Sequence, residues 1–176
     1  MDAAGRSDDR LARAAGRAER LVRPVFVALA LLATAAGAAM VALMVASVAM
    51  RHLANAPLYF TEELIGLLLT AAFFLALPLV TLNGEHVRVT LVVANLPPRG
   101  RSVAAAAAGL LGIAFCAWFV ALAMPWLDFA LSRGLKSEVA RLLLYPWMAL
   151  VPFGLVLSGL AFAIRAAAPA PAPAGR

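Results

Sequence analysis

Four long stretches of this chain, residues 24–50, 64–82, 102–127 and 142–164, contain no Asp, Glu, Lys or Arg. Crossing roughly 30 Å of hydrocarbon takes about 20 apolar residues at about 1.5 Å rise each, and every stretch meets or nearly meets that length. Lipid offers no partners to backbone N–H and C=O groups, so a spanning segment is a helix or a strand of a closed barrel. Barrel strands alternate apolar with polar residues and are about half as long, which excludes them here. The fold class predicted is an all-α integral membrane protein with four transmembrane helices. A short interfacial amphipathic segment is expected between helices 2 and 3.

The four spans and their joints use nearly all of the 176 residues, so the sequence predicts no separate soluble domain. It divides into a basic cytoplasmic tail (1–23), a four-helix transmembrane domain (24–165) and a Pro/Ala-rich tail (166–176) expected to be disordered. A hydrophobic fraction of 64% and a mean hydropathy of +0.92 lie far above the globular norm of roughly half apolar. The formal charge of +6 and pI near 11 would suggest nucleic acid in a soluble protein. Here the basic residues stand outside the spans and act as orientation signals, so no nucleic acid is expected. The single cysteine, Cys116, lies mid-span and reads as a small buried hydrophobe. The first span is too long for a cleavable signal h-region of about 7–15 residues and reads as a retained helix.

Eleven of the 15 basic residues fall on one side: Arg6, Arg10, Arg13, Arg17, Arg20, Arg23, Arg88, Arg99, Arg101, Arg165 and Arg176. Arg51, Arg133, Lys136 and Arg141 fall on the other. The positive-inside bias places both termini and the middle joint in the cytoplasm. The arginines of the first tail recur at near-helical spacing, which suits either a topology signal or contact with anionic headgroups of membrane lipids.

Within the first span Ala30, Thr34, Ala38, Ala42 and Ala46 recur every fourth residue, a small-residue row that lets another helix approach closely. An alanine-rich composition produces the same row without a packing role. Ala108, Gly112 and Cys116 form a shorter row in the third span, and Gly154 with Ser158 begins one in the fourth. No ionisable residue stands at any span centre, which argues against a proton relay or substrate path within this chain. Pro78 and Pro125 are candidate kinks near helix ends.

Polar residues cluster at the rims. Thr61 is placed to cap the second helix, with Glu62 and Glu63 in its first turn, where carboxylates favour the positive end of the dipole. Being adjacent, the two point about 100° apart and do not form an acid/base pair. They suit interfacial anchoring or a salt bridge to a partner subunit. His52 and His86, the only histidines, fall on opposite membrane faces, so no shared metal or haem is expected. Residues 87–96, closed by Pro97-Pro98, are too short to span and read as the interfacial segment, with His86 and Arg88 toward headgroups or a neighbouring protein. No catalytic triad, phosphate-binding loop or metal-spaced cluster occurs, so neither enzyme activity nor a cofactor is predicted.

Several motifs occur in a fixed order: Arg51-His52, Asn55-Ala56-Pro57, Tyr59-Phe60-Thr61-Glu62-Glu63, Gly84-Glu85-His86-Val87-Arg88-Val89, Leu96-Pro97-Pro98-Arg99, and Pro146-Trp147 before Val151-Pro152-Phe153-Gly154. Together they resemble the small permease subunit (DctQ type) of tripartite ATP-independent periplasmic (TRAP) transporters. Two details depart from that family's pattern: Phe73-Phe74-Leu75-Ala76, where a Gly is frequent, and Thr90, where an acidic residue is common.

The resemblance implies a non-catalytic subunit of the bacterial inner membrane. Its partners would be a large multi-span permease subunit, which carries the substrate and sodium sites and moves as an elevator, and a periplasmic substrate-binding protein that delivers organic acids. The small subunit would serve as static scaffold and help dock the binding protein. Arg51, Asn55, Glu62, Glu63, His86 and Arg88 are then candidate contacts with partner or lipid, and Ala30, Thr34, Ala38, Ala42 and Ala46 candidate packing positions. A stand-alone homo-oligomeric transporter or channel, held together by the first span's row, is the alternative.

Overall fold

The computed structural model describes residues 3–53, 55–56, 58–84 and 98–167. Four helices account for nearly all of them: α1 (Ala3–Leu53), α2 (Thr61–Asn83), α3 (Pro98–Arg133) and α4 (Tyr145–Ala167). Each contains a segment long and apolar enough to cross a membrane. The expected interfacial segment, with His86 and Arg88, lies outside the described residues.

Helix ends follow from local chemistry. Pro98 opens α3, where its missing N–H costs nothing because the first-turn donors have no intrahelical acceptor. Gly134, at φ 56°, closes α3: its N–H donates to the Leu131 carbonyl and that of Leu135 to the Ala130 carbonyl, the paired bonds of a left-handed helix stop. α1 is longer than its charge-free stretch. It runs 51 residues through Arg23 and Pro24 without a break, so the change at Arg23 is one of charge and not of secondary structure. Residues 142–144 are apolar but belong to a tight connection before α4. There Lys136 pairs with Leu143 in a single antiparallel bridge, Ser137 N–H donates to the Leu142 carbonyl and Leu144 N–H to the Leu135 carbonyl.

The helices do not close into a bundle. Among the described residues α1 packs on α2, α2 on α4 and α4 on α3, with a slighter α1–α4 contact and none of α3 with α1 or α2. The order across the molecule is therefore α1, α2, α4, α3, an open row. α4, in its interior, has the largest buried share of its span (33%, against 11% in α1 and α3). In water so much exposed apolar surface would force closure; in lipid there is no such drive, and helices associate where small residues let backbones approach.

The close approaches at glycines, among the described residues, all involve α4. Gly154 faces the Phe74 carbonyl of α2, and Ser158, one turn on, is buried and donates to the Gly154 carbonyl at 2.7 Å. On the other flank Gly109 and Gly112 of α3 meet Ala166 and Phe162, and Cys116 is buried beside Gly159. A cluster of buried apolar residues ties α1 to the row: Phe26 packs with Leu82 of α2 and Ala161 and Ile164 of α4, with Ala18 and Val22 against the cluster.

Candidate functional site

The rim where α1 ends and α2 begins brings together several polar side chains. The helices splay there around a groove of about 380 Å³, floored by Met44, Val48 and Ile65 and edged by Arg51, Tyr59 and Glu62. Arg51 and Glu62 are both exposed, and Tyr59, 77% exposed, stands out from the connection. Asn55 lies in the same connection, exposed, in the left-handed region (φ 49°) that asparagine tolerates better than most side chains. The sequence-based candidates Arg51, Asn55 and Glu62 thus share one end of the molecule. Arg51 and Glu62 share one groove, which presents a cation, an anion and a phenol above an apolar floor.

Glu63 turns the other way, as the 100° step between neighbouring helical residues requires. Its carboxylate accepts the N–H of Val139 at 2.9 Å and that of Ala140 at 2.8 Å, clasping the connection between α3 and α4. The sequence suits Glu63 to a partner or lipid contact; in the fold its two bonds are intramolecular and pin the α3–α4 connection to the first turn of α2. The acceptor side was invisible in sequence because the donors are backbone groups 76 and 77 residues away. Glu63→Ala is expected to speed hydrogen exchange at the Val139 and Ala140 amides by about an order of magnitude, since hydrogen bonds to a charged group are the stronger kind. Glu62→Ala should leave those two amides unchanged; equal rates in both variants would overturn the clasp.

Thr61 departs from its expected cap role. The residue before it, Phe60, makes no side-chain cap bond, and the Thr61 hydroxyl donates to the Leu58 carbonyl at 2.8 Å. It fastens the connection instead of accepting a first-turn N–H.

The small-residue row of α1 faces largely outward. Ala30 is half-buried, but Thr34, Ala38, Ala42 and Ala46 are exposed, and the Thr34 hydroxyl bonds back to the Ala30 carbonyl at 2.9 Å. Packing within the chain uses the neighbouring face, where Ala33 is 6% exposed. Strict four-residue spacing drifts about 40° per step, so from Ala30 to Ala46 the row winds about 160° around the helix. It begins on the packed face and ends nearly opposite.

At the far end of α2, Arg165 of α4 donates from Nη1 to the Thr81 carbonyl at 3.0 Å, beside Gly84. Sequence reasoning counted Arg165 only as a topology signal. α2 has no basic residue in its own last turn, so α4 supplies the cation that the negative end of α2 favours. At the C-terminal end of α3, the Arg133 guanidinium lies 5.5 Å from the Phe129 ring centroid, two turns on from the exposed Trp126, an aromatic and cationic edge of the kind found at membrane interfaces. No group of three or more potential metal ligands occurs among the described residues.

A family model described as the DctQ component of tripartite ATP-independent periplasmic transporters matches residues 40–170. No curated protein and no solved structure matches the chain.

Proposed function

Because the chain belongs to the DctQ family of tripartite ATP-independent periplasmic transporter components, its match covering well over half the sequence, we propose that it acts as the static scaffold of such a transporter. On this reading it is a multi-pass protein of the bacterial inner membrane with both termini cytoplasmic, and not an enzyme. It pairs with a large multi-span permease subunit that carries the substrate and the coupling sodium ions. A periplasmic binding protein delivers an organic acid to that pair, and the rim bearing Arg51, Asn55, Tyr59 and Glu62 helps to seat it.

One observation carries the scaffold reading beyond the family match: the row is open. Four helices stand side by side, with α3 packed only on α4 among the described residues, and present wide faces. A subunit that moves across the membrane needs a broad fixed frame, and an open row of apolar helices pinned by small-residue contacts is such a frame. The outward row Thr34, Ala38, Ala42 and Ala46 gives a large subunit a place to approach closely.

Tagged purification from native membranes in mild detergent, with mass spectrometry of the co-purifying proteins, tests the proposal. A much larger multi-span permease should be recovered in stoichiometric amount. Recovery of this chain alone as a stable homo-oligomer would overturn it in favour of an independent membrane function.

A further inference from the structure

Because α1 is helical from Ala3, the arginines before Pro24 hold fixed angular positions. At about 100° per residue, Arg6, Arg10, Arg13, Arg17 and Arg20 fall within a sector about 80° wide. Leu11, Ala15, Ala18 and Val22 fall in a second sector, roughly 150° away. The second sector is the packed one: Ala15 is buried, and Ala18 and Val22 lie against the Phe26, Leu82, Ala161 and Ile164 cluster. Among the arginines with described side chains, Arg17, Arg20 and Arg23 are all exposed. Of the acidic residues on this segment, Asp8 and Glu19 lie outside the arginine sector and Asp9 at its edge.

Height along the helix decides what this cationic face meets. Phe26 packs in one cluster with Leu82, next to last in α2, and Ile164, just before Arg165, which puts the edge of the hydrocarbon near Phe26. At about 1.5 Å rise, Arg23, Arg20 and Arg17 stand roughly 4.5, 9 and 13.5 Å beyond it. The headgroup layer of one leaflet is about 5–7 Å thick, and an arginine side chain extends several Å, so these three reach lipid phosphates while Arg13, Arg10 and Arg6 stand farther out.

We propose that Arg17 and Arg20, on the arginine sector, and Arg23, about 60° round the helix from its edge, together bind anionic phospholipid headgroups, anchoring α1 at the membrane surface where it joins the helix row. Guanidinium groups suit this because each can give two parallel hydrogen bonds to one phosphate. The distal arginines add only screened, longer-range attraction, since the Debye length is about 8 Å at physiological ionic strength.

The test uses the full chain in mixed micelles of phosphatidylglycerol and phosphatidylcholine, with bound lipid identified by native mass spectrometry. The expected result is a preference for phosphatidylglycerol that falls as salt is raised. Each arginine at the surface contributes roughly fivefold, so R17Q/R20Q/R23Q should lower the preference by more than roughly tenfold, and R6Q/R10Q/R13Q by less than roughly threefold. Unchanged helicity and melting would show that both variants fold. Absence of any preference in the unmodified chain, or one insensitive to salt, overturns the proposal without reference to the mutants. A loss in the distal variant equal to or greater than that in the proximal one overturns it too, and points to an acidic macromolecule away from the bilayer. None of these outcomes bears on the transporter reading, which the co-purification tests separately.

Discussion

Gly154→Leu should separate α2 from α4 and produce the largest stability loss of any single substitution in the membrane interior. A Cβ on Gly154 would overlap the Phe74 carbonyl and lie 3.0 Å from both the Phe74 carbonyl carbon and Cβ. Those are largely backbone atoms of a packed helix and cannot swing aside as the tip of a long side chain can. Even Gly154→Ala should cost about 1–3 kcal/mol, the range for overpacking a filled site. In a chain of this size that is a fall of roughly 2–12 °C in melting temperature. Leucine should exceed it, because the helices must part by the width of a side chain.

The parting spreads beyond the contact. Among the described residues α4 is the only helix that packs on α3; Glu63 of α2 clasps the connection leading into α4 at one end, and Arg165 of α4 bonds to α2 at the other. A wedge between α2 and α4 therefore strains both ends of the pair. Gly66→Ala is the control: Gly66 lies on α2 with open space where its Cβ would go, and alanine is the better helix former, so its melting temperature should hold or rise slightly. Equal melting temperatures for Gly154→Leu and Gly66→Ala would show that the α2–α4 contact does not hold the row together.

How much of this was legible in the sequence depended on whether the signal was local. Spans were legible because the absence of charge over 20 residues has one physical meaning in lipid. The Gly154 and Ser158 pair was legible as small residues one turn apart; both are buried, and Gly154 meets Phe74 of α2. The α1 row was legible as a pattern, but its four-residue step hid the drift that carries Thr34 to Ala46 off the packed face. Helix order was not legible. α2 and α3 are consecutive yet do not touch among the described residues, because residues 84–97 between them are numerous enough to let α4 take the place beside α2. The bonds of Glu63 to Val139 and Ala140 were not legible, since backbone donors leave no mark in a sequence. Hydropathy also read residues 142–144 as span, although they pair with residues 135–137 in the connection before α4.

The second large effect is expected at the opposite end of the α2–α4 pair, where Arg165 and Gly84 act as one unit. Thr81 is fully buried, and its carbonyl accepts both the Gly84 N–H at 3.1 Å and Arg165 Nη1 at 3.0 Å. The Gly84 backbone, at φ 70°, turns α2 to a stop, and the Arg165 guanidinium occupies the space that a side chain on residue 84 would fill. Arg165→Ala removes a charged donor from a buried acceptor, a loss of about 1.5–3 kcal/mol. Lysine should recover only part of this, since a compact ammonium on a flexible stem does not reproduce the planar fork. Gly84→Ala suffers twice, from left-handed strain of about 1–2 kcal/mol and from displacing the guanidinium. In the Arg165→Ala background only the strain remains, so the double variant should be more stable than the sum of the singles predicts, by roughly 0.5–3 kcal/mol. Melting temperatures of the four chains in one detergent close that cycle. Strict additivity would mean that the arginine and the glycine do not share the site, and that the end of α2 is held by its backbone turn alone.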